Sequence, residues 1–438
     1  MSPDPIANNS SSASPPSSEQ SNWALPFFTF WTGQAFSLIG SRLVQFALIW
    51  WLTRETESAA VLTIASFVGL LPSLLLYPFA GALVDRWNRQ WVMLVADTVI
   101  ALATVWIAYL FHIGMVQIWS IYLLMFVRSL GEGFHQPAMV ASTSLMVPEK
   151  HLTRVQGFNQ MLSGGLNIIA APLGALLLEV LPFSGILAID VITAFFAVGP
   201  LLFLSIPQPT REMVEGVGGI RSVLADIQGG FRYVFDWPGL LVLIGIAVMI
   251  NLVATPSFSL LPLLVKTFFG GGAMELGWAD SAYGVGVVLG GVLLSTWGGF
   301  QRRIMTTILG LLGFGMGFLL VGLVPADLFF VAVGGMLLIG MMLSFINGPA
   351  LAICQAAIEP GVQGRVFSLI TSLSKASAPL GLAIAGPLAE LTNVRTWFVT
   401  AGVITTLLGL ASFFIPALIQ IEEHHQKVQE KETPLEPG

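Results

Sequence analysis

Residues 91–111 read WVMLVADTVIALATVWIAYLF, a run with one charge, Asp97, set between Asp85-Arg86-Trp87-Asn88-Arg89-Gln90 and His112-Ile113-Gly114. A helix rises 1.5 Å per residue, so such a run crosses about 30 Å, the hydrocarbon thickness of a bilayer. The pattern recurs. Apolar segments are expected as spans at 24–52, 60–84, 91–111, 117–146, 157–180, 184–205, 240–265, 277–298, 304–323, 328–355, 367–390 and 394–418. Composition agrees: of 438 residues, 55% are hydrophobic and 10% charged, with a mean hydropathy of +0.83. A soluble protein carries roughly 25% charged residues, so these few charges cannot cover a soluble surface of this size. The expected fold class is an all-α membrane protein of twelve transmembrane helices.

Other classes fall away. A net charge of -6 offers no basic field for nucleic acid. One cysteine, Cys354, excludes a disulfide framework, and the five histidines form no HExxH spacing. There is no Walker A pattern, so direct use of ATP is not expected. We therefore expect no metal, no cofactor and no enzyme.

The connections are short except one. Residues 1–22 are Ser/Pro-rich with no positive leader and read as a disordered cytoplasmic lead-in. Residues 23–206 form a first six-helix bundle, 207–239 a cytoplasmic linker, 240–418 a second bundle and 419–438 a disordered cytoplasmic tail. Within the linker, 220–235 has the pattern of an amphipathic surface helix. Arg54, Lys266 and Arg395 fall in the outer loops, and Arg42, Arg128 and Lys375 fall inside spans. The other 12 of the 18 Lys and Arg lie on the side of the termini. By the positive-inside bias both termini are cytoplasmic, in a multi-pass protein of the cytoplasmic (inner) membrane.

The halves resemble each other at an offset of about 211 residues. Pro137-Ala138 matches Pro349-Ala350, Arg154-Val155 matches Arg365-Val366, and Glu179 matches Glu390. APLG occurs at 171–174 and again at 378–381. Two parallel six-span units imply alternating access, with the substrate held between them near the mid-membrane.

Several stretches resemble the major facilitator superfamily. Gly81-Ala82-Leu83-Val84-Asp85-Arg86-Trp87-Asn88-Arg89 is similar to that family's loop signature between spans two and three. Pro172 and Gly174, with Gly165 upstream, resemble its antiporter motif in span five, although Ala171 stands where Gly is usual. Arg128 resembles the span-four arginine of its proton-coupled drug exporters. The wording around 27–41, 78–90 and 188–196 looks most like the macrolide-efflux branch, which also contains siderophore exporters. The resemblance implies a cytoplasmic gate at Gly81, Asp85, Arg86 and Arg89, with Asp85 facing the start of span eleven near Arg365 and Val366. The equivalent turn, Gly298 to Arg303, lacks the aspartate.

Individual residues carry two readings each. Arg128, Glu132 and His135 share one face of span four, where charges are costly and usually line a cavity or proton route. Glu132 either couples proton entry to substrate exit or forms a static pair with Arg128. Asp97 either joins the gate around Asp85 and Arg86 or caps packing against span two. Asp190 pairs with Arg42 across the outer half, as a coupling site or a structural bond. Lys375 is expected as the only intramembrane charge of the second half, meeting an anionic substrate or snorkelling. Proton handling should then sit in the first half. Gln34, Gln45, Asn251, Asn347 and Gln355 are candidate polar cavity points. Phe30, Trp31, Phe46, Trp50 and Phe258 are candidate cavity aromatics, while Trp51, Trp119 and Trp397 read as interfacial anchors.

The expected function is secondary export, by proton antiport, of bulky amphiphilic molecules such as macrolide-like drugs. Its partners are a small amphiphile, protons and membrane lipids, with no nucleic acid and with a monomer sufficient. A siderophore or other metabolite exporter, a lipid flippase and a non-transporting receptor are the alternatives.

Overall fold

The computed structural model describes residues 23–84, 87–204, 206, 234–235, 237–358 and 363–422, with backbone alone at 77–78, 81–82, 357 and 364–365. Twelve long helices run through these residues: α1 Ala24–Thr56, α2 Ala59–Val84, α3 Arg89–His112, α4 Ile118–Met146, α5 Glu149–Val180, α6 Phe183–Phe203, α7 Pro238–Thr267, α8 Ala273–Trp297, α9 Arg303–Leu323, α10 Phe329–Ala357, α11 Gln363–Leu391 and α12 Val394–Ser412. A single turn, α13 Pro416–Ile419, follows. Eleven of the twelve contain a stretch long and apolar enough to cross a membrane. The exception is α4, whose apolar run is interrupted by Arg128, Glu132, His135 and Gln136. The protein is an all-α, multi-pass membrane protein.

Most expected spans coincide with helices. One difference is α5, which starts at Glu149 rather than 157. Polar residues such as Lys150, His151 and Arg154 ended the apolar run there without ending the helix. The surface helix expected at 220–235 lies outside the described residues apart from Val234 and Phe235. The tail does too beyond Glu422, whose Oε1 accepts a bond of 2.9 Å from the Ile304 N–H at the start of α9.

Local chemistry explains the sharp connections. Asn88 caps α3, its side chain accepting from Gln90 N and Trp91 N. Asn393 caps α12 by accepting from Thr396 N. α8 ends at Gly298 in the left-handed region, φ 80°, where a side chain would be strained.

α1 begins and α12 ends on one face of the membrane layer, here called the terminal face; the other is the far face. α1–α6 meet α7–α12 mainly in their far halves. Thr63 of α2 lies against Gly386 of α11, and a side chain at Gly277 of α8 would press within 3.0 Å of Pro172 in α5. Ser66 and Ser259 are bonded at 2.6 Å. At the far surface Glu390 accepts from Ser58 Oγ and, at 3.1 Å, from the Ala60 N–H at the start of α2. Lys266 pairs with Glu57 at 3.0 Å and donates to the Arg54 carbonyl at 3.2 Å. The far side is packed shut, and open volume lies toward the terminal face.

Candidate functional site: a charged cavity among α1 to α5

A cavity of about 630 Å³ lies among α1, α2, α3, α4 and α5. Its lining runs from mid-helix residues (Gln45 of α1, Ser66 and Gly69 of α2, Met125 of α4) to residues near the terminal face (Trp31, Thr143, Gln156 and Asn159). The walls mix apolar surface (Leu38, Leu70, Ile100, Met139) with the amides Gln34, Gln45, Gln136 and Gln160. Trp31 Nε1 donates to Asn159 Oδ1 at 2.7 Å, tying α1 to α5 at the mouth.

Three charge groupings meet this space. Arg128 Nη1 reaches Asp190 Oδ2 at 2.7 Å, with the two side chains 12% and 4% exposed. Arg128 Nη2 also donates to the Ser41 carbonyl at 3.2 Å. Asp190 accepts further bonds from Ser41 Oγ at 3.1 Å and Thr104 Oγ1 at 3.2 Å. Four helices, α1, α3, α4 and α6, are thus tied through one buried pair. Such a pair persists in low dielectric only when its remaining hydrogen-bonding capacity is filled, which these partners do.

The second grouping is His135 of α4, Asp97 of α3 and Gln34 of α1. His135 Nε2 stands 3.3 Å from Asp97 Oδ1, an ion-pair approach without the alignment of a hydrogen bond. Gln34 Nε2 donates to Asp97 Oδ2 at 3.3 Å. The third grouping is Glu132 and Arg42. Both line the cavity and are exposed to it, and neither has an ion-pair or hydrogen-bond partner among the described residues.

These positions change several expectations. Arg128 does not pair with Glu132, because the guanidinium turns toward α6 to neutralise the more buried Asp190. Asp190 consequently does not pair with Arg42. Asp97 faces Gln34 and His135 in the cavity wall, and the Asp85 and Arg86 it was expected to join lie outside the described residues. One face of α3 closes the cavity behind α1 and α4. Among the gate residues, Asp85 and Arg86 lie outside the described residues, and Gly81 and Arg365 are described by backbone alone. Arg89 is buried and donates from Nη1 to the Ala141 carbonyl at 2.8 Å, joining the start of α3 to the end of α4.

In α5, a side chain at Gly174 would press within 2.8 Å of the Phe46 ring, Pro172 faces α8, and Gly165 has nothing within 4 Å. Of the candidate aromatics only Trp31 lines the cavity. Phe30, Phe46 and Trp50 are buried in helix packing, and Phe258 packs edge-on to Tyr283 at 4.9 Å. Trp119 is exposed, but Trp51 and Trp397 are buried and so are not interfacial anchors. Trp397 Nε1 donates to the Val253 carbonyl at 3.2 Å.

Among the described residues the second half contributes none to the cavity lining. Asn251 Nδ2 donates within its own helix to the Ala247 carbonyl at 3.0 Å. Asn347, Gln355 and Lys375 are exposed and outside the lining. Lys375 is also not the only intramembrane charge there: Asp280 stands within α8. The signal was present in the sequence, since it is a lone acid in an apolar helix like Asp97. Among the described residues no group of three or more His, Cys, Asp or Glu is placed to hold a metal ion.

Comparison with known proteins agrees with this architecture. The family model of the Major Facilitator Superfamily matches residues 30–372 and 243–437. Macrolide efflux protein A of Streptococcus pyogenes is 32% identical over 92% of this chain and 98% of its own length. Multidrug efflux pump Tap of Mycolicibacterium fortuitum is 26% identical over 87% of this chain and 94% of its own. Among solved structures, an inward-facing bacterial homologue of the iron transporter ferroportin superposes with a TM-score of 0.68 at 15% identity, covering 89% of this chain and 98% of that one. The chain therefore belongs to the Major Facilitator Superfamily, as a secondary-active membrane carrier related to its macrolide-efflux and drug-antiporter branch.

Proposed function

We propose that this carrier is an exporter that exchanges protons for bulky, cationic amphiphiles of the macrolide type. The twelve helices act as two six-helix bundles, both termini lie in the cytoplasm, and the cavity therefore faces the cytoplasm in the described state. The observation that carries the reading is Glu132. Of the two acids in the cavity wall, Asp97 is engaged by Gln34 and His135, whereas Glu132 has no hydrogen bond or ion pair among the described residues. A carboxylate left open in a chamber of mixed apolar and polar walls attracts a cation; a proton and an ammonium-bearing amphiphile compete for it. Binding of the amphiphile releases the proton inward, and reprotonation from outside releases the amphiphile outward. The far-face contacts of Glu390 and Lys266 hold the outer side shut meanwhile, and the turn at Asp85, Arg86 and Arg89 serves the inner gate when the protein turns outward.

The names of the relatives support the macrolide class. Arg42, equally unpartnered in the cavity, favours a second reading, export of an anionic metabolite such as a siderophore.

The test is accumulation of a labelled macrolide in efflux-deficient bacteria expressing the protein, with the proton gradient intact or collapsed. Exclusion of the label that vanishes with the gradient is expected. Exclusion that survives its collapse removes proton coupling, and no exclusion at all removes the macrolide and brings the anionic metabolite forward.

A further inference from the structure

We propose that Asp280 is a second proton-carrying carboxylate, supplied to the transport cycle by the second half of the chain; this rests on the exporter reading above. Asp280 lies seven residues into α8, about 10 Å from the far-face start of the helix. It is part-buried, and no hydrogen bond or ion pair reaches it among the described residues. Its register is fixed from both sides. Gly277 and Gly284 hold α8 against Pro172 and Asn167 of α5, while Tyr283 packs against Phe258 of α7. Asp280 falls between those two faces, toward the junction of the halves.

The internal repeat places it further. The far-face crossing of α2 with α11 pairs Thr63 with Gly386. Shifted by about 211 residues, that crossing falls on Met274 and Ala175, one turn from the observed Gly277–Pro172 contact in α8 and α5. The repeat register therefore survives in the packing. In it the counterpart of Asp280 is Gly69, which lines the cavity. The second half thus presents a carboxylate where the first half presents a bare cavity wall.

An ionised acid at that depth with nothing opposite is costly, and its release is to carry a cation. Among the described residues Tyr283 is its titratable neighbour, and no charged group faces it from the other helices packed on this stretch. α5 offers Asn167, Ile168 and Pro172, α7 offers Phe258, α10 offers Leu337 and Met341, and Tyr283 is on its own helix. The α5–α8 contact is part of the far-side closure. Its separation opens Asp280 to the far side, where the carboxylate takes up a proton; when the contact re-forms the acid is closed off from that side, the same O–H bond breaks and the proton passes toward the terminal side. Glu132 and Asp280 then carry protons in different halves of the chain.

The experiment uses the full-length protein in proteoliposomes with a labelled macrolide, comparing the native chain with Asp280→Asn and Asp280→Glu. Uphill movement under an imposed pH gradient is measured beside macrolide exchange without a gradient. Asp280→Asn should lose uphill movement by about tenfold or more while exchange stays within about twofold, and Asp280→Glu should keep both. Uphill movement unchanged in Asp280→Asn overturns the inference, as does a proportional loss of both activities, which marks a structural role. Exchange without uphill movement in the native protein overturns proton coupling itself, and no transport by the native protein overturns the exporter reading together with this one.

Discussion

α4 and α10 occupy matching places in the repeat and have opposite characters. Aligned on Pro137 and Pro349, the positions of Arg128, Glu132 and His135 in α4 are taken by Gly340, Ser344 and Asn347 in α10. α4 opens onto the cavity and carries three ionisable groups there. α10 lies so close to α8 that a side chain at Gly340 would collide with the Tyr283 backbone, and Ser344 Oγ donates to the Val287 carbonyl at 2.9 Å. One helix keeps polar groups available at the expense of packing, and its twin gives up polar groups to pack tightly. Of the two helices, one forms a chemical wall and the other a mechanical one.

Substitutions that exchange these characters test the division. The largest effect is expected for Arg128→Ala, which leaves the almost fully buried Asp190 carboxylate unneutralised. Breaking such a pair costs about 3–5 kcal/mol, visible as a large drop in the unfolding temperature of the detergent-purified protein. Asp190→Asn in the same chain should restore much of that loss. Next is Gly340→Leu, which forces α10 away from α8. Overpacking of this kind costs about 1–3 kcal/mol, and transport should fall in parallel, whereas a leucine at Gly165, with open space around it, should be tolerated.

Asp97→Asn is smaller. It removes the charge facing His135 but keeps a bond to Gln34, so roughly 1 kcal/mol of stability is at stake, read from the same unfolding curves. Glu132→Gln should have the least effect on stability, within about 0.5 kcal/mol, because the side chain is exposed to the cavity and bonded to nothing. Its transport loss should nonetheless be severe. A stability loss in Glu132→Gln matching that of Arg128→Ala would erase the distinction between structural and working charges on α4.

Much of the architecture was legible in the sequence. Long apolar runs and few charges dictate membrane helices, and helix spacing alone puts Arg128, Glu132 and His135 on one face. Partner choice was not legible. Which acid Arg128 neutralises depends on distances between α4, α6 and α1, and those follow from close approaches such as Gly33 of α1 against the Phe196 backbone and Gly40 of α1 against Asp190 and Thr193. Burial then decides: Asp190, the more enclosed acid, takes the arginine, and Glu132 is left open. The partners of Asp97 were not legible for a related reason. Its depth in α3 can be read from the chain, but the rotation of α3 toward Gln34 and His135 is set by tertiary packing. Trp397 shows the same limit, since a tryptophan near a helix end looks interfacial until its neighbour α7 is seen to cover it.

The most direct test of proton-for-amphiphile exchange at Glu132 is proton release on substrate binding. Purified protein in weakly buffered detergent solution is mixed with a macrolide, and the pH change is followed for the native chain and for Glu132→Gln. The expected result is release by the native protein, reduced by more than about half in Glu132→Gln, since an acid displaced by a cation gives up its proton stoichiometrically. Equal release from the two proteins at equal macrolide occupancy contradicts the assignment of Glu132.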